Sequence, residues 1–264
     1  MVIKKINDLL SYAEMRLRKI TNRKLIEGLW IDITPNQSDI SLSRVGNEGD
    51  GGYVVANLGQ RPDLVISPGV GDTSDFELYF AENGIKCILI DCSVAKPPID
   101  NPNFIFVNKC LSIRSDSEYI TLKEIEELYP YSNAVLQMDI EGAEYEIVNF
   151  LTPQELSKFT MIVIEIHSLF SMLDPDFGYF KIRKLVDKLT ELHVPVHAHP
   201  NNIGGYFKCF GIKFPNIVEL TLIRRDLAGT IGGKIKPNAS LDRPNSTKHS
   251  DIKFPILKGA SSLE

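Results

Sequence analysis

The chain has 264 residues, 43% of them hydrophobic and 24% charged, enough for one large α/β domain with a full core. Its net charge of −5 argues against nucleic-acid binding by bulk electrostatics, which needs a basic footprint. No apolar run approaches the ~18 residues of a membrane span, so no transmembrane segment is expected.

Residues Ile3, Ile6, Leu10, Ala13, Leu17 and Ile20 recur at intervals of three and four, predicting an amphipathic N-terminal helix. Lys4, Lys5, Arg16, Arg18, Lys19, Arg23 and Lys24 crowd its other faces. This helix packs across the domain, forms a homodimer face, or holds weakly to acidic lipid. Lacking a continuous apolar core, residues 1–24 are not read as a signal peptide, and the expected compartment is cytoplasmic. Cys87, Cys92, Cys110 and Cys209 show no CxxC spacing, so neither a zinc knuckle nor a disulfide framework is expected. Scattered cysteines of this kind suit a reducing compartment.

The glycines of NEGDGGYVVANL (47–58) mark a turn feeding a strand or hairpin. From residue 61 the pattern alternates. Strands are expected at 63–71, 86–93, 103–112, 133–140, 161–167, 194–199 and 218–226, and helices at 74–84, 121–129, 143–151 and 179–193. Ser74 is a candidate N-cap and Gly84 a helix stop. Near-continuous apolar strands separated by helices imply a mostly parallel sheet covered on both faces. Residues 228–264 turn to Gly, Pro, Asn and Ser and read as an irregular tail that wraps the domain or stays mobile.

In such a sheet, ligands sit beyond the carboxyl ends of the strands, so the residues after each strand are the candidates. The first strand runs into Pro68-Gly69-Val70-Gly71-Asp72-Thr73-Ser74, a glycine turn that lets backbone approach a ligand. Ser74 stands where a dinucleotide fold has its third glycine, which disfavours NAD and suits a ligand without a pyrophosphate. Asp91, twenty residues beyond Gly71, is placed to accept hydrogen bonds from ribose hydroxyls. The fourth strand ends in QMDIEGAEYEI (137–147). Glu144 and Glu146 suit a helix's first turn. Asp139 and Glu141, with no such explanation, point to a site. Glu165 and His167 share one strand face, as do His197 and His199, which Asn201 and Asn202 follow. Asp139, Glu165, His167 and His199 are expected to converge in a substrate crevice. His199 or His167 would be a general base oriented by Glu165, or Asp139, Glu165 and His199 would hold a divalent metal, Mg2+ or Mn2+, or one histidine of each pair is a satisfied core or capping residue.

VLQMDIEGAEYEIV resembles the signature of FkbM-type S-adenosylmethionine-dependent methyltransferases. SPGVGDTSDFE resembles that family's first motif and LIDCS its second, while GDGGYVV, IEIH and HAHPNN resemble further elements, over residues 44–226. The resemblance implies a Rossmann-like, doubly wound, mostly parallel α/β sheet of about seven strands, of the class I methyltransferase type, to which the N-terminal helix read above is an extension lying outside it. It divides the chain into a helical lead-in (1–43), a methyltransferase domain (44–227) and a tail (228–264). S-adenosylmethionine would lie against Gly69, Val70, Gly71, Thr73, Ser74, Asp91 and Cys92, with Asn108 to Ser112 near the adenine and Asp139 beside the sulfonium. Asp50 and Tyr53, in the closing GDGGYVV segment, would meet the acceptor together with Glu141, His197, Asn201 and Asn202. The implied reaction is O-methylation of a small polar or carbohydrate-like acceptor, as in surface-polysaccharide or secondary-metabolite biosynthesis. The alternatives are an NAD(P)-dependent oxidoreductase on the same fold and a non-catalytic nucleoside-binding module.

Overall fold

The segments Leu64–Pro68, Lys86–Ile90, Ala134–Met138 and Phe159–Ile166 are too short for stable helices and almost wholly apolar. Apart from exposed Lys86, all their residues are buried, as strands covered on both faces require. The computed structural model describes residues 18–257. In chain order the elements begin with α1 (Arg23–Ile33), a hairpin of β1 (Leu42–Gly46) and β2 (Gly52–Ala56), β3 (Leu64–Pro68), α2 (Asp75–Glu82), β4 (Lys86–Ile90) and β5 (Phe104–Val107). Then come the short pair β6 (Cys110–Leu111) and β7 (Tyr119–Ile120), α3 (Leu122–Leu128), β8 (Ala134–Met138), α4 (Glu144–Phe150), α5 (Pro153–Ser157) and β9 (Phe159–Ile166). The chain continues through α6 (Gly178–Leu192), β10 (His193–Pro200), a hairpin of β11 (Tyr206–Cys209) and β12 (Ile212–Pro215), and β13 (Val218–Arg224).

Seven strands form the central sheet in the order β10-β13-β9-β8-β3-β4-β5. Pairings from β9 through β5 are parallel, and β13 runs antiparallel to both its neighbours. This is the Rossmann-like, doubly wound, mostly parallel sheet expected from the sequence. It departs from the dinucleotide order 3-2-1-4-5-6 by the antiparallel last strand, inserted between the fifth and sixth. The chain winds outward from β3 through β4 to β5 and returns to β8 on the other side. The order therefore reverses between β3 and β8, and the Asp139 N–H donates to the Pro68 carbonyl there, at 3.2 Å.

One face of the sheet packs Ile66, Ile88, Leu136, Ile162 and Ile164 against α1, α3, α4 and α6. The other packs Val65, Leu89, Val135 and Val163 under α2 and the β1–β2 hairpin. A hairpin thus does part of the covering expected of helices. It is tied down by Thr221 Oγ1 donating to the Val54 carbonyl and by Tyr53 against Phe76 at 5.5 Å.

The expected helix over residues 3–20 lies mostly outside the described residues, and Arg18–Thr21 are not helical. The helix at this end is α1, capped by the Asn22 side chain accepting from Lys24 N–H. Its Ile26, Leu29, Trp30 and Ile33 form a buried stripe. Strand 103–112 divides into β5 and β6 after Val107. As far as residue 257, the tail wraps the domain. Asn36 bridges Lys234, Gln37 exchanges backbone hydrogen bonds with Gly232 and Gly233, and Trp30 Nε1 donates to the Pro255 carbonyl at 2.9 Å. No helix among the described residues is long and apolar enough to cross a membrane.

Candidate active site

A cleft of about 710 Å³ opens at the point where the strand order reverses. It is lined by the turn after β3, the end of β4, the segment after β8 and the β1–β2 turn. Gly69 and Gly71 adopt φ of +86° and +57°, left-handed values that glycine reaches at little cost. A Cβ on Gly69 would overlap the Asp139 carbonyl, so the two strand ends approach as closely as they do only because this residue is glycine.

Asp91 closes the turn from below. Its Oδ2 accepts the Gly71 N–H at 2.8 Å, and its Oδ1 accepts both the N–H and the hydroxyl of Ser93 at 2.6 Å. Burial opposes its charge, yet hydrogen bonds from Gly71, Ser93 and Val70 hold its pKa below the ordinary carboxylate value. Capping the turn does not exhaust the carboxylate, because two oxygens offer about four lone-pair sites. Val70 and Thr73 also line the cleft. Ser74 begins α2 but lies buried, its hydroxyl neither capping the helix nor partnered among the described residues.

Cys92 and Cys110 both line the cleft and are joined as a disulfide, with Cα atoms 4.8 Å apart. This corrects the expectation of unpaired cysteines. The pair links the segment just past β4 to the start of β6 across eighteen residues, a separation with no recognisable motif.

Beneath the turn lies a buried network that no sequence motif marks. Ser67 Oγ sits within hydrogen-bonding distance of both Glu77 Oε1 and Gln137 Oε1. One hydroxyl proton cannot serve two acceptors, so a protonated Glu77 donating to Ser67, which donates to Gln137, satisfies all three groups. Burial accordingly pushes the Glu77 pKa up to about 7, against the lowering effect of the Ser67 bond. From its ordinary value of 4.5 up to about 7, the folded chain keeps a proton that the unfolded chain has released. Stability therefore falls as pH rises through that window, and the loss stays constant above it. Glu77→Gln reproduces the neutral donor. It is expected to stabilise the protein by roughly 1–3 kcal/mol at pH 8 and to change little at pH 4, as read by denaturant melts at the two pH values.

At the other end of the cleft, side chains from four elements meet. Asp139 Oδ2 accepts from the buried Tyr53 hydroxyl at 3.3 Å. Its Oδ1 lies 3.6 Å from His167 Nε2, which also faces Glu141 Oε2 at 3.5 Å and Glu165 Oε1 at 3.3 Å. Asn201 orients Glu165 by donating to Oε1 at 3.0 Å, and Glu165 Oε2 is buried without a partner among the described residues. Burial, then the neighbouring carboxylates, push Asp139 up to about 7 and Glu165 well above the carboxylate range; His167 partly offsets the rise for Asp139. For His167 burial acts downward, but Glu144, Asp139 and Glu141 together raise the imidazole above its usual value.

Glu144 stands in the first turn of α4, as expected, and has a second role besides. Fully buried, it accepts the His167 N–H at 2.9 Å and the Gly142 N–H at 2.7 Å, and faces His167 Nδ1 at 3.3 Å. It thereby fixes the ring and leaves Nε2 directed at the carboxylates. Glu141 adopts φ +55°, uncommon for a residue with a side chain, and Gly142 continues at +104°.

His199 is not part of this cluster. It is buried on β10, with Nδ1 3.1 Å from Glu219 Oε2. Burial lowers its pKa, and Glu219 with Asp242 carries it above the usual value. Glu219 stands opposite both His199 and Glu165 in the sheet register and adds its charge to Asp139 and Glu165. The tail occupies the ground expected for substrate beyond it. Asn245 donates to Glu219 at 2.6 Å and to Asp50 at 3.1 Å, His197 Nε2 meets Asp242 at 2.8 Å, and Asn202 exchanges hydrogen bonds with Ser246 and donates to the His249 carbonyl. His197 and Asn202 thus anchor the tail, and Asn201 positions Glu165.

No protein-family profile matches the chain, and no curated protein matches it. Among solved structures it is similar to the plantazolicin methyltransferase BpumL in complex with SAH, at 13% identity and a TM-score of 0.30, over 63% of this chain and 77% of that one. It is also similar to the Burkholderia thailandensis 1,6-didemethyltoxoflavin-N1-methyltransferase, at 15% identity and a TM-score of 0.29, over 63% and 72%. A third is the 16S rRNA (adenine(1408)-N(1))-methyltransferase from Catenulisporales acidiphilia, at 9% identity and a TM-score of 0.31, over 70% and 98%. Superposition this loose says nothing of the reaction of this chain.

Proposed function

We propose that the protein transfers a methyl group from S-adenosylmethionine to an oxygen of a small, polar, hydroxylated acceptor. The observation that carries this reading is the joining, in one cleft, of a glycine turn tied to Asp91 with an acidic cluster at Asp139. The first suits a nucleoside, whose ribose hydroxyls would donate to Asp91. The second suits a cation, and a sulfonium is the cation that a methyl donor brings. The antiparallel seventh strand and Ser74 in place of a third glycine both weigh against a nicotinamide cofactor.

In this reading Gly69, Val70 and Gly71 approach the donor through backbone, and the walls at Tyr53 and Asp139 hold the methyl carbon in line. The reaction is a displacement. An acceptor oxygen bonds to the methyl carbon, the carbon–sulfur bond breaks with its electron pair passing to sulfur, and the acceptor proton leaves to the Glu165–His167 cluster. Alignment and the exclusion of water supply most of the acceleration. A carbohydrate-like acceptor is favoured by the polar lining of Asp50, Tyr53, Asp139 and Glu141.

Incubation with methyl-labelled S-adenosylmethionine and a panel of sugars, polyols and amines tests the reading. Release of S-adenosylhomocysteine dependent on a hydroxylated acceptor is expected. Transfer confined to the amines would contradict the oxygen assignment, and donor binding without transfer to any acceptor would favour the non-catalytic module.

A further inference from the structure

We propose that Asp139, Glu141 and His167 bind one divalent cation at the acceptor end of the cleft, with Glu165 beside it as the proton acceptor. One ligand atom from each of the three lies within 4.8 Å of the others. His167 Nε2 stands 3.6 Å from Asp139 Oδ1 and 3.5 Å from Glu141 Oε2. Neighbouring ligands around a cation bound at ~2.1–2.4 Å are ~3 Å apart, so a cation is accommodated with shifts of a few tenths of an ångström.

Two further observations set this apart from a chance meeting of acids. His167 is more than nine-tenths buried, and its Nε2 makes no hydrogen bond among the described residues although three carboxylates surround it. With Nδ1 facing Glu144, the ring offers a lone pair to that centre, as a metal-bound histidine does when a carboxylate holds its other nitrogen. The second is Glu165, 3% exposed, whose Oε1 lies 3.3 Å from His167 Nε2 and whose Oε2 is buried without a partner among the described residues. Asp139 divides its oxygens correspondingly, Oδ2 accepting from Tyr53 and Oδ1 facing His167. One imidazole with two carboxylates is a mixed nitrogen–oxygen set, which suits Mn2+ better than Ca2+ or Mg2+.

The chemical consequence rests on the methyl-transfer reading; the binding does not. An acceptor hydroxyl coordinated to the cation would lose its proton to the Glu165 carboxylate more readily. The resulting alkoxide would then attack the methyl carbon. A cation would also offset the repulsion among Asp50, Asp139, Glu141, Glu165 and Glu219.

Titration of the full chain with Mn2+ alone, monitored by electron paramagnetic resonance, reads binding without donor or turnover. One saturable equivalent is expected, with spin-echo modulation from a coordinated imidazole nitrogen. His167→Gln is expected to abolish the nitrogen modulation, and Glu141→Gln to weaken binding ~10-fold or more. The Glu141 side chain is 88% exposed, so this second variant folds whatever becomes of the first. Absence of saturable binding, or binding that Glu141→Gln leaves unchanged, would overturn the proposal. Loss of Mn2+ binding alone, with S-adenosylhomocysteine still bound, would count against the cation site and leave the donor site standing.

Discussion

Asp91→Ala is expected to weaken S-adenosylhomocysteine binding by about 10²-fold or more, as measured by calorimetry. Hydrogen bonds from two ribose hydroxyls to a carboxylate contribute ~1.5–3 kcal/mol each, and ~1.4 kcal/mol is tenfold in affinity. The same oxygens accept from Gly71 and Ser93, so alanine also releases the glycine turn. Asp91→Asn separates the two contributions. It keeps one acceptor for the turn but loses the charge, and is expected to recover part of the affinity. Binding that survives Asp91→Ala would show that the carboxylate only caps the turn and that the nucleoside lies elsewhere.

The second large effect is expected at Gly69. Its φ of +86° strains any residue with a side chain, at ~1–3 kcal/mol, and the new Cβ of Gly69→Ala would overlap the Asp139 carbonyl. The backbone hydrogen bonds that hold this crossing, Gly69 N–H to Ile90 and Asp139 N–H to Pro68, must then lengthen. We expect a fall in melting temperature of several degrees, since ~1 kcal/mol moves a chain of this size by ~2–4 °C. Binding of S-adenosylhomocysteine is expected to disappear with it. Gly71→Ala is the comparison, because nothing lies within 4 Å of its Cβ; a smaller thermal shift is expected there. Equal shifts for the two would contradict the close approach of β3 and β8.

The parallel part of the site was legible because each parallel strand delivers its site residue at its carboxyl end. Gly69, Asp91, Asp139 and the Glu165–His167 pair all stand at or just past the ends of β3, β4, β8 and β9. The same rule hid Glu219. Its strand runs the other way, so the site residue stands at the start of β13, where the sequence pattern shows only strand interior. Glu144 was obscured because an acid in a first helical turn already has a sufficient local explanation; that it turns inward beneath His167 depends on tertiary packing. His197 and His199 belong by position with the strand-end residues, but their partners lie on the tail and on β13, which composition does not reveal.

The tail's Gly, Pro, Asn and Ser residues gave no indication of its path. Its hold comes from a short backbone bridge at Asn36–Lys234 and from scattered side-chain contacts at Asn202, Lys234 and Asn245 rather than from a repeating pattern. Helix α1 is a different kind of miss, because Ile26, Leu29, Trp30 and Ile33 carry a helical period in plain sight. The covering hairpin was half visible. Its turn glycines marked a reversal, but the seating of β2 over the sheet is a matter of packing.

Calorimetric titration of the pure protein with S-adenosylhomocysteine, and separately with NADH and NADPH, tests the central claim most directly. One equivalent of S-adenosylhomocysteine bound saturably, with no heat from either nicotinamide, is the predicted result. Saturable NADH or NADPH binding with no response to S-adenosylhomocysteine would contradict it.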